Sequence, residues 1–241
     1  MAHPTTSTPP TALVTGASRG IGRAIAERLG RSGWRVALLA RSVPVLEQLS
    51  REIGNDSFPV ECDIGNSDSV HRAVTEIVSS LGNAPDVVVN NAGAFFIESI
   101  EDTSPARFET LLRSNLVGPF AITNGLLGAM RARGSGHFVT IGSVADRQIF
   151  AGNGAYAAAK HGLRAMHEVL REETRGTGVR ATLISPSAVS TDLWNDVRFP
   201  GASEGPDRES MLAPEAVVEA VLFAVGQDAG INIDELRLSR A

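Results

Sequence analysis

Short apolar runs alternate with longer amphipathic stretches along most of the chain. The apolar runs lie at 12–15, 35–40, 58–62, 86–90, 137–142, 179–185 and 233–239. Most are apolar at consecutive positions, which is typical of strands that helices cover on both faces of a parallel sheet. The stretches between them predict helices at 21–32, 67–81, 105–131, 155–175 and 214–226. This alternation predicts one doubly wound α/β domain with a parallel sheet of about seven strands.

Two segments fall outside this pattern. Residues 1–10, MAHPTTSTPP, are rich in Pro, Thr and Ser and lack the basic start and apolar run of a signal peptide, so they predict a disordered tail before a domain at 11–241. Residues 195–213 combine Gly, Pro, Ser and charge. That segment is too short to separate domains, and we expect a mobile substrate loop at 192–213.

Composition excludes several classes of partner. The net charge of -5 gives no basic field for nucleic acid or an anionic membrane. The chain also has no uncharged apolar stretch near the ~18 residues of a spanning helix. Its only cysteine, Cys62, allows no intrachain disulfide and fits a reducing, cytoplasmic location. The scattered histidines predict no metal site, with His161 and His167 expected on helix surfaces.

A glycine-rich turn follows the first apolar run. Gly16, Gly20 and Gly22 lead from that strand into an amphipathic helix. Residues without a Cβ let the backbone approach a pyrophosphate, and the helix N-terminus adds free N–H groups. Glycines also cap helices and close loops, so the turn alone leaves both interpretations open. Its place between strand and helix favours a dinucleotide site.

The Gly-x-x-x-Gly-x-Gly spacing resembles that of the short-chain dehydrogenase/reductase superfamily, and the resemblance extends over about residues 11–240. The sequence NNAG after the fourth strand is similar to a second signature of that family, in which Asn90 steadies the sheet while Ala92 and Gly93 back the cofactor. An isolated Asn-Gly turn is common. The two motifs together imply the single-domain, Rossmann-type branch of the family.

The sequence YAAAK places Tyr156 and Lys160 on one helix face, where a cation can lower the pKa of the phenol. Such pairs also occur on helices by chance. With Ser143 and Asn115, however, they resemble the catalytic tetrad of the family. The resemblance implies that Tyr156 transfers the proton and Ser143 binds the substrate oxygen. It also implies that Lys160 binds the nicotinamide ribose and that Asn115 holds a water.

The end of the second strand bears on the choice of dinucleotide. An NAD site of this fold usually has a carboxylate there for the ribose 2′-hydroxyl. Here Ala40 takes that place and Arg41 follows, while Arg19 in the glycine turn is a second guanidinium. The guanidinium group presents its N–H donors as a fork that suits phosphate oxygens. Both arginines could instead be solvated surface residues. NADP(H) is favoured over NAD(H).

The resemblance implies a larger set of cofactor contacts around these motifs. They are Gly16, Ser18, Arg19, Gly20, Ile21, Gly22, Arg41, Asp63, Ile64, Asn90, Ala92, Gly93, Tyr156, Lys160, Pro186, Ser187, Val189 and Thr191. Two positions depart from the family pattern. Ser187 replaces a usual glycine and should restrict the backbone, whereas Gly142 replaces a frequent serine and should open space for substrate.

The expected activity is hydride transfer between NADP(H) and a carbonyl or alcohol substrate, of ketone, aldehyde or ketoacyl type. The alternatives are a catalytically silent NADP-binding sensor or scaffold, and a lyase or epimerase that uses the same tyrosine. The resemblance also implies a homodimer or homotetramer formed through 105–131 and 155–175. An apolar substrate pocket is expected from Phe95, Phe96, Ile149, Phe150, Leu193 and Trp194.

Overall fold

A computed structural model describes residues 9–197 and 207–241. Seven parallel strands form one sheet in the order β3-β2-β1-β4-β5-β6-β7. The strands are β1 (Thr11–Thr15), β2 (Arg35–Ala40), β3 (Phe58–Glu61), β4 (Val87–Asn90), β5 (Gly136–Ile141), β6 (Val179–Pro186) and β7 (Glu235–Leu238). The helices are α1 (Gly20–Arg31), α2 (Val43–Ile53), α3 (Ser67–Leu81), α4 (Pro105–Leu112), α5 (Gly118–Arg133), α6 (Gly154–Thr174) and α7 (Pro214–Val225). The predicted doubly wound fold is confirmed.

Helices cover both faces of the sheet, which explains why its strands are apolar at consecutive positions. Leu13 and Val14 are adjacent in β1, and both are fully buried. Leu13 belongs to an apolar layer with residues of α3 and α5, and Val14 to a second layer with residues of α1, α2 and α7. Successive strand side chains point to opposite faces, so both positions must be apolar.

Two helical segments differ from the prediction. Helix α2 was not predicted, although Pro44 in its first turn is compatible with a helix start and Leu46 and Leu49 are buried. The helix expected at 105–131 is divided by a π-helical turn, Arg113–Val117, between α4 and α5. No periodicity in the sequence marks one wider turn, because the helix continues in nearly the same direction on both sides of it.

The prediction for His167 is wrong. This side chain is 1% exposed, and its Nδ1 lies 3.0 Å from the Thr140 hydroxyl of β5. Leu163 and Leu170 are buried on the same face of α6, so helical spacing places His167 against the sheet. His161 is half-buried.

The described residues contain neither a cluster of metal-binding side chains nor a membrane-spanning helix. Within 9–197 and 207–241, no group of His, Cys, Asp and Glu side chains could hold a metal ion. Over the same ranges, no helix is both long and apolar enough to cross a membrane. Residues 1–8 of the expected tail and 198–206 of the expected substrate loop lie outside the described residues.

Candidate active site

A cleft of about 1420 Å³ opens at the carboxyl ends of the strands, where ligands bind in open α/β sheets. All predicted site residues except Gly22 and Asn90 line this cleft. The lining members are Gly16, Ser18, Arg19, Gly20, Ile21, Arg41, Asp63, Ile64, Ala92, Gly93, Asn115, Ser143, Tyr156, Lys160, Pro186, Ser187, Val189 and Thr191. The structure therefore brings residues from distant parts of the chain into one concave surface.

The glycine turn between β1 and α1 depends on its glycines for two separate reasons. Gly16 and Gly20 have φ angles of +69° and +56°, which side-chain-bearing residues rarely adopt. Gly22 is instead a close approach, because a Cβ there would lie 2.3 Å from the Gly16 carbonyl oxygen. Gly22 thus supports the turn from behind rather than lining the cleft.

The N-terminus of α1 is open toward the cleft. Its N-cap residue, Arg19, makes no side-chain capping hydrogen bond, and the first turn of the helix contains no acidic residue. The first N–H groups of a helix need partners, and together with the helix dipole they favour an anion. This end of α1 therefore fits a phosphate group.

Asn91, rather than Asn90, joins the β4 end to β1. Its Nδ2 donates to the Thr15 carbonyl at 2.9 Å, and its backbone N–H donates to the Thr15 hydroxyl at 3.0 Å. Asn90 instead donates to the Thr123 hydroxyl of α5 at 3.2 Å. Neither Asn91 nor Thr15 was predicted, although Asn91 lies within NNAG and Thr15 directly precedes Gly16.

Two guanidinium groups stand at one end of the cleft. Arg19 and Arg41 are exposed, and neither has an ion pair or side-chain hydrogen bond among the described residues. The nearby Asp63 carboxylate accepts from the N–H of Gly65 at 3.0 Å, within its own loop. The arginines are thus free to bind an anionic group that enters this end.

Tyr156, Ser143 and Lys160 lie around the other end of the cleft. The Tyr156 ring packs edge-on against Phe95, with 4.7 Å between centroids. The Ser143 oxygen accepts from the N–H of Ala145 at 3.1 Å, and the Ser143 hydroxyl interacts with the Tyr156 phenol. The Lys160 ammonium donates to the Ile141 carbonyl at 2.9 Å and lies 5.7 Å from the centre of the phenol ring.

The acid–base properties of this pair differ from the sequence expectation in one respect. Burial raises the pKa of Tyr156 to about 12; the Ser143 hydroxyl lowers it and the Asp146 carboxylate raises it. Burial lowers the pKa of Lys160 to about 8, against a raising effect of Asp146. The expected lowering of the phenol pKa is therefore absent, because desolvation dominates. Tyr156 is protonated at neutral pH.

Asn115 lies in the π-helical turn, and only the nitrogen end of its side-chain amide has hydrogen-bond partners among the described residues. Nδ2 donates to the carbonyls of Ala94 and Leu111, each at 3.0 Å. Oδ1 is buried and has no hydrogen-bond partner among the described residues. A Cβ on Gly93 would lie 2.4 Å from this oxygen, so the glycine allows Asn115 to approach the cleft wall. An unpaired buried acceptor of this kind requires a donor.

The segment after β6 forms the remaining wall. The N–H of Ser187 donates to the Leu238 carbonyl of β7 at 2.8 Å, and the φ angle of Ser187 is not positive. Serine at position 187 therefore causes no conformational strain, because the backbone conformation there does not require a glycine. Trp194 donates from Nε1 to the Val189 carbonyl at 2.9 Å, which holds the start of the predicted substrate loop against this wall.

The expected apolar pocket is formed in part. Phe95, Phe150, Leu193 and Trp194 line the cleft. Phe96 instead packs with Leu111 and Ala155, under the Arg107 guanidinium. Ile149 is 79% exposed and does not line the cleft.

Gly142 does not open space for substrate. A Cβ on this residue would lie 2.7 Å from the Ser185 hydroxyl and 3.0 Å from Asp146 Oδ2. These two side chains already fill the space that a larger residue would need. Gly142 therefore allows Ser185 and Asp146 to pack closely and does not enlarge the cleft.

The sequence of the chain is similar to those of a known protein family. The family model described as short chain dehydrogenase matches residues 10–200. The chain belongs to the short-chain dehydrogenase family. Membership makes the protein an oxidoreductase of that family and agrees with the resemblance drawn from its motifs.

Relatives of this short-chain dehydrogenase differ in their described activities. Dehydrogenase/reductase SDR family member 7B of Bos taurus is 33% identical over 89% of this chain and 70% of its own length. An NADP-dependent 3-hydroxy acid dehydrogenase of Salmonella typhi is 32% identical, over 94% of this chain and 93% of its own. A solved alcohol dehydrogenase of Thermococcus sibiricus, complexed with 5-hydroxy-NADP, has a TM-score of 0.83 and 30% identity, covering 95% of this chain and 96% of its own.

Proposed function

We propose that this protein transfers hydride between NADP(H) and a neutral carbonyl or alcohol substrate, with Tyr156 as the general acid/base. The observation that carries the proposal is the joint placement of Tyr156, Ser143 and Lys160 in the cleft that the glycine turn enters. A relative is described as NADP-dependent, and a similar solved structure contains 5-hydroxy-NADP. Those descriptions belong to the other proteins and support the same cofactor here.

The residues of the cleft fit a dinucleotide with an additional phosphate. The glycine turn and the open N-terminus of α1 would hold the pyrophosphate. Arg19 and Arg41 would bind the 2′-phosphate, and Asp63 with Ile64 would border the adenine. Lys160 would bind the nicotinamide ribose. The wall from Pro186 to Thr191 would contact the nicotinamide end.

When bound, the cofactor supplies the hydride, and the protein's residues handle the proton. During reduction, negative charge develops on the substrate oxygen, so a preorganised donor must face it. Tyr156 is protonated at neutral pH and donates that proton. Ser143 has its oxygen held by the N–H of Ala145 and would donate its own proton to the same substrate oxygen.

Asn115 would complete the proton path by holding a water. Its buried Oδ1 has no partner among the described residues, although buried acceptors normally have one. A water donating to this oxygen could connect Lys160 with solvent. This role was expected from the family resemblance, and the orphaned acceptor is the structural observation that supports it.

We further propose that the substrate is uncharged at its reacting end. Phe95, Phe150 and Trp194 provide an apolar lining there. In the described part of the lining, the arginines are Arg19, Arg41 and Arg113. Arg19 and Arg41 stand at the cofactor end, and the Cβ of Arg113 lies near Gly65. The remaining cation of the described lining, Lys160, is assigned to the nicotinamide ribose, so a substrate carboxylate near Tyr156 would lose water without gaining a cation of its own.

A matched pair of substrates tests both parts of the proposal. NADPH oxidation is followed with ketones, aldehydes and quinones, and with a 3-oxo acid beside its methyl ester. We expect turnover on neutral members and a kcat/KM for the ester at least about tenfold above that for the acid, because the acid buries an unpaired charge. Binding of NADPH without turnover on any member would favour the sensor instead. Preference for the free acid would contradict the neutral-substrate assignment.

Two earlier expectations stay predictions: a cytoplasmic location, and a homodimer or homotetramer formed through α4, α5 and α6. Sedimentation that gives only a species near the chain mass of 25.4 kDa would contradict the second.

A further inference from the structure

Asp146 is a buried carboxylate that the proposed proton transfer does not use. It is 1% exposed and ends the short 3₁₀ turn Val144–Asp146, which directly follows Ser143. Burying a carboxylate costs several kcal/mol unless ion pairs and hydrogen bonds replace its water. The partners of Asp146 therefore indicate what the carboxylate does.

A hydroxyl and a guanidinium hold the carboxylate of Asp146. Oδ2 accepts a short hydrogen bond from the Ser185 hydroxyl of β6. Oδ1 lies 2.9 Å from the guanidinium of Arg147, which also lies 2.7 Å from a carboxylate oxygen of Glu235 in β7. Two carboxylates thus share one guanidinium, so this group of side chains has an excess negative charge.

Among these charges, that of Asp146 acts on the Tyr156–Lys160 pair. Asp146 raises the pKa of both side chains. Lys160 is 5% exposed, and among the described residues its ammonium forms no ion pair within 4 Å, donating only to the Ile141 carbonyl. The turn that carries Asp146 packs against α6, which carries Lys160, so the carboxylate is placed to act as an anionic counterpart of this buried ammonium.

The same carboxylate lies beneath the substrate-binding serine. The N–H of Asp146 donates to the Ser143 carbonyl at 2.9 Å, and its own carbonyl accepts from Nε of Arg164 at 3.2 Å. On the other side, Gly142 leaves room for the carboxylate, since a Cβ there would lie 3.0 Å from Oδ2. The turn that carries Ser143 is thus fastened to α6, β6 and β7 through Asp146 and Arg147.

We propose that Asp146 is a positioning residue: its carboxylate fixes the turn that carries Ser143 and supplies the negative charge that balances Lys160 beside Tyr156. The proposal rests on the proposed function only in taking Tyr156 and Lys160 as the acid–base pair. Gly142, Ser185, Arg147 and Glu235 maintain this carboxylate in place.

The charged groups around Asp146 determine the sign of its effect. Helix α6 contributes Tyr156, Lys160 and Arg164, and Arg164 forms an ion pair with Glu168. The turn contributes Arg147, and β7 contributes Glu235. A negative charge stabilises the protonated forms of both lysine and tyrosine. Removing it must therefore lower both pKa values, whereas a loss of packing that admits water would lower the pKa of Tyr156 but raise that of Lys160. Because Lys160 is the one lysine in the chain, the pH dependence of its side-chain NMR signals reports this second pKa, and a rise of the Lys160 midpoint in the variant would overturn the proposal.

The chain contains one tyrosine, so phenolate absorbance reports Tyr156 alone. The parent and Asp146→Asn proteins are subjected to stopped-flow pH jumps, and the absorbance is read within milliseconds, before alkaline unfolding. Asparagine keeps the size and an acceptor for Ser185 while removing the charge. We expect the phenol midpoint of the variant to fall by roughly 0.5–1 pH unit. This readout needs neither cofactor nor substrate, so a failure of the proposed function leaves it intact.

The control is Glu235→Gln, which removes a carboxylate from the same guanidinium but is not a charge that acts on Tyr156. Its midpoint should stay at the parent value. A change below about 0.4 pH unit in Asp146→Asn, an upward change, or an equal shift in the control would overturn the proposal. If Asp146→Asn does not fold, as judged by circular dichroism, Asp146→Ser removes the same charge and takes its place under the same criteria.

Discussion

At the scale of single residues, Arg41 is the side chain that we propose distinguishes the two nicotinamide dinucleotides. It follows Ala40 at the end of β2 and is exposed at the rim of the cleft, without an ion-pair partner among the described residues. A guanidinium in this position can make charged hydrogen bonds to a 2′-phosphate, but it has nothing comparable to bind on a ribose hydroxyl.

Arg41→Ala should therefore weaken NADPH binding roughly tenfold or more, as expected for a lost charged hydrogen bond, and leave NADH binding nearly unchanged. Calorimetric titration with both cofactors measures the two effects. Arg51→Ala is a matched control, because Arg51 is an exposed arginine on α2 outside the cleft. Equal losses for NADPH and NADH would show that Arg41 supports the fold rather than the phosphate.

At the scale of elements, the strand–turn–helix unit β1–α1 is a tightly packed part of the proposed cofactor site. Asn91 donates to the Thr15 carbonyl, and its amide nitrogen would lie 2.4 Å from a Cβ on Gly22. The carbonyl oxygen of Gly16 would also lie too close to a Cβ on Gly22, at 2.3 Å. Backbone atoms cannot give way as a flexible side chain can, so the start of α1 must shift to admit even one methyl group.

Gly22→Ala should lower the free energy of unfolding by about 1–3 kcal/mol, the usual cost of overpacking, and should weaken NADPH binding at the displaced helix end. Gly128→Ala is the control within α5, where a Cβ meets nothing within 4 Å. That substitution should be neutral or stabilising by up to about 1 kcal/mol, because alanine favours helix. Chemical denaturation compares the two. A Gly22→Ala protein as stable as the parent would show that the turn has room to adjust.

The elements also show which features a single sequence reveals. The interior strands were predictable because burial on both faces makes them apolar at consecutive positions, whereas the tetrad was proposed from its family spacing and stays a prediction. Helix α2 was missed because only Leu46 and Leu49 are buried in it, which makes its apolar pattern short. The π-helical turn at Asn115 and the burial of Asp146 follow no local pattern, because each depends on side chains that only the tertiary fold brings together.

At the scale of the whole molecule, two buried histidines tie stability to pH. His137 and His167 are each 1% exposed and bond to threonine hydroxyls of the sheet. Burial, with smaller contributions from nearby cations, lowers the pKa of His137 to about 3 and that of His167 to about 4. The unfolded chain takes up these protons near pH 6.5, while the folded chain does not until far lower pH. Stability therefore falls as the pH drops from about 6.5 toward 4.

Each histidine should contribute about 1.4 kcal/mol per pH unit to this fall. His167→Gln keeps a hydrogen bond to Thr140 but cannot be protonated, so its free energy of unfolding should decline less steeply with acid by about that amount. Urea denaturation at several values between pH 4 and 6.5 measures the slope. His71→Gln replaces an exposed histidine and should leave it unchanged. An unaltered slope in His167→Gln would contradict the assignment of His167 as a buried neutral group.

The central claim, that Tyr156 donates the proton during hydride transfer, is tested most directly by Tyr156→Phe under conditions where the hydride step limits the rate. The ring and its contact with Phe95 remain, so thermal stability and NADPH affinity should stay near the parent values. Turnover should fall about 10²–10⁴-fold, the usual contribution of general acid catalysis, since Ser143 alone would face the developing oxyanion. A variant that retains more than about a third of the parent turnover would contradict the claim.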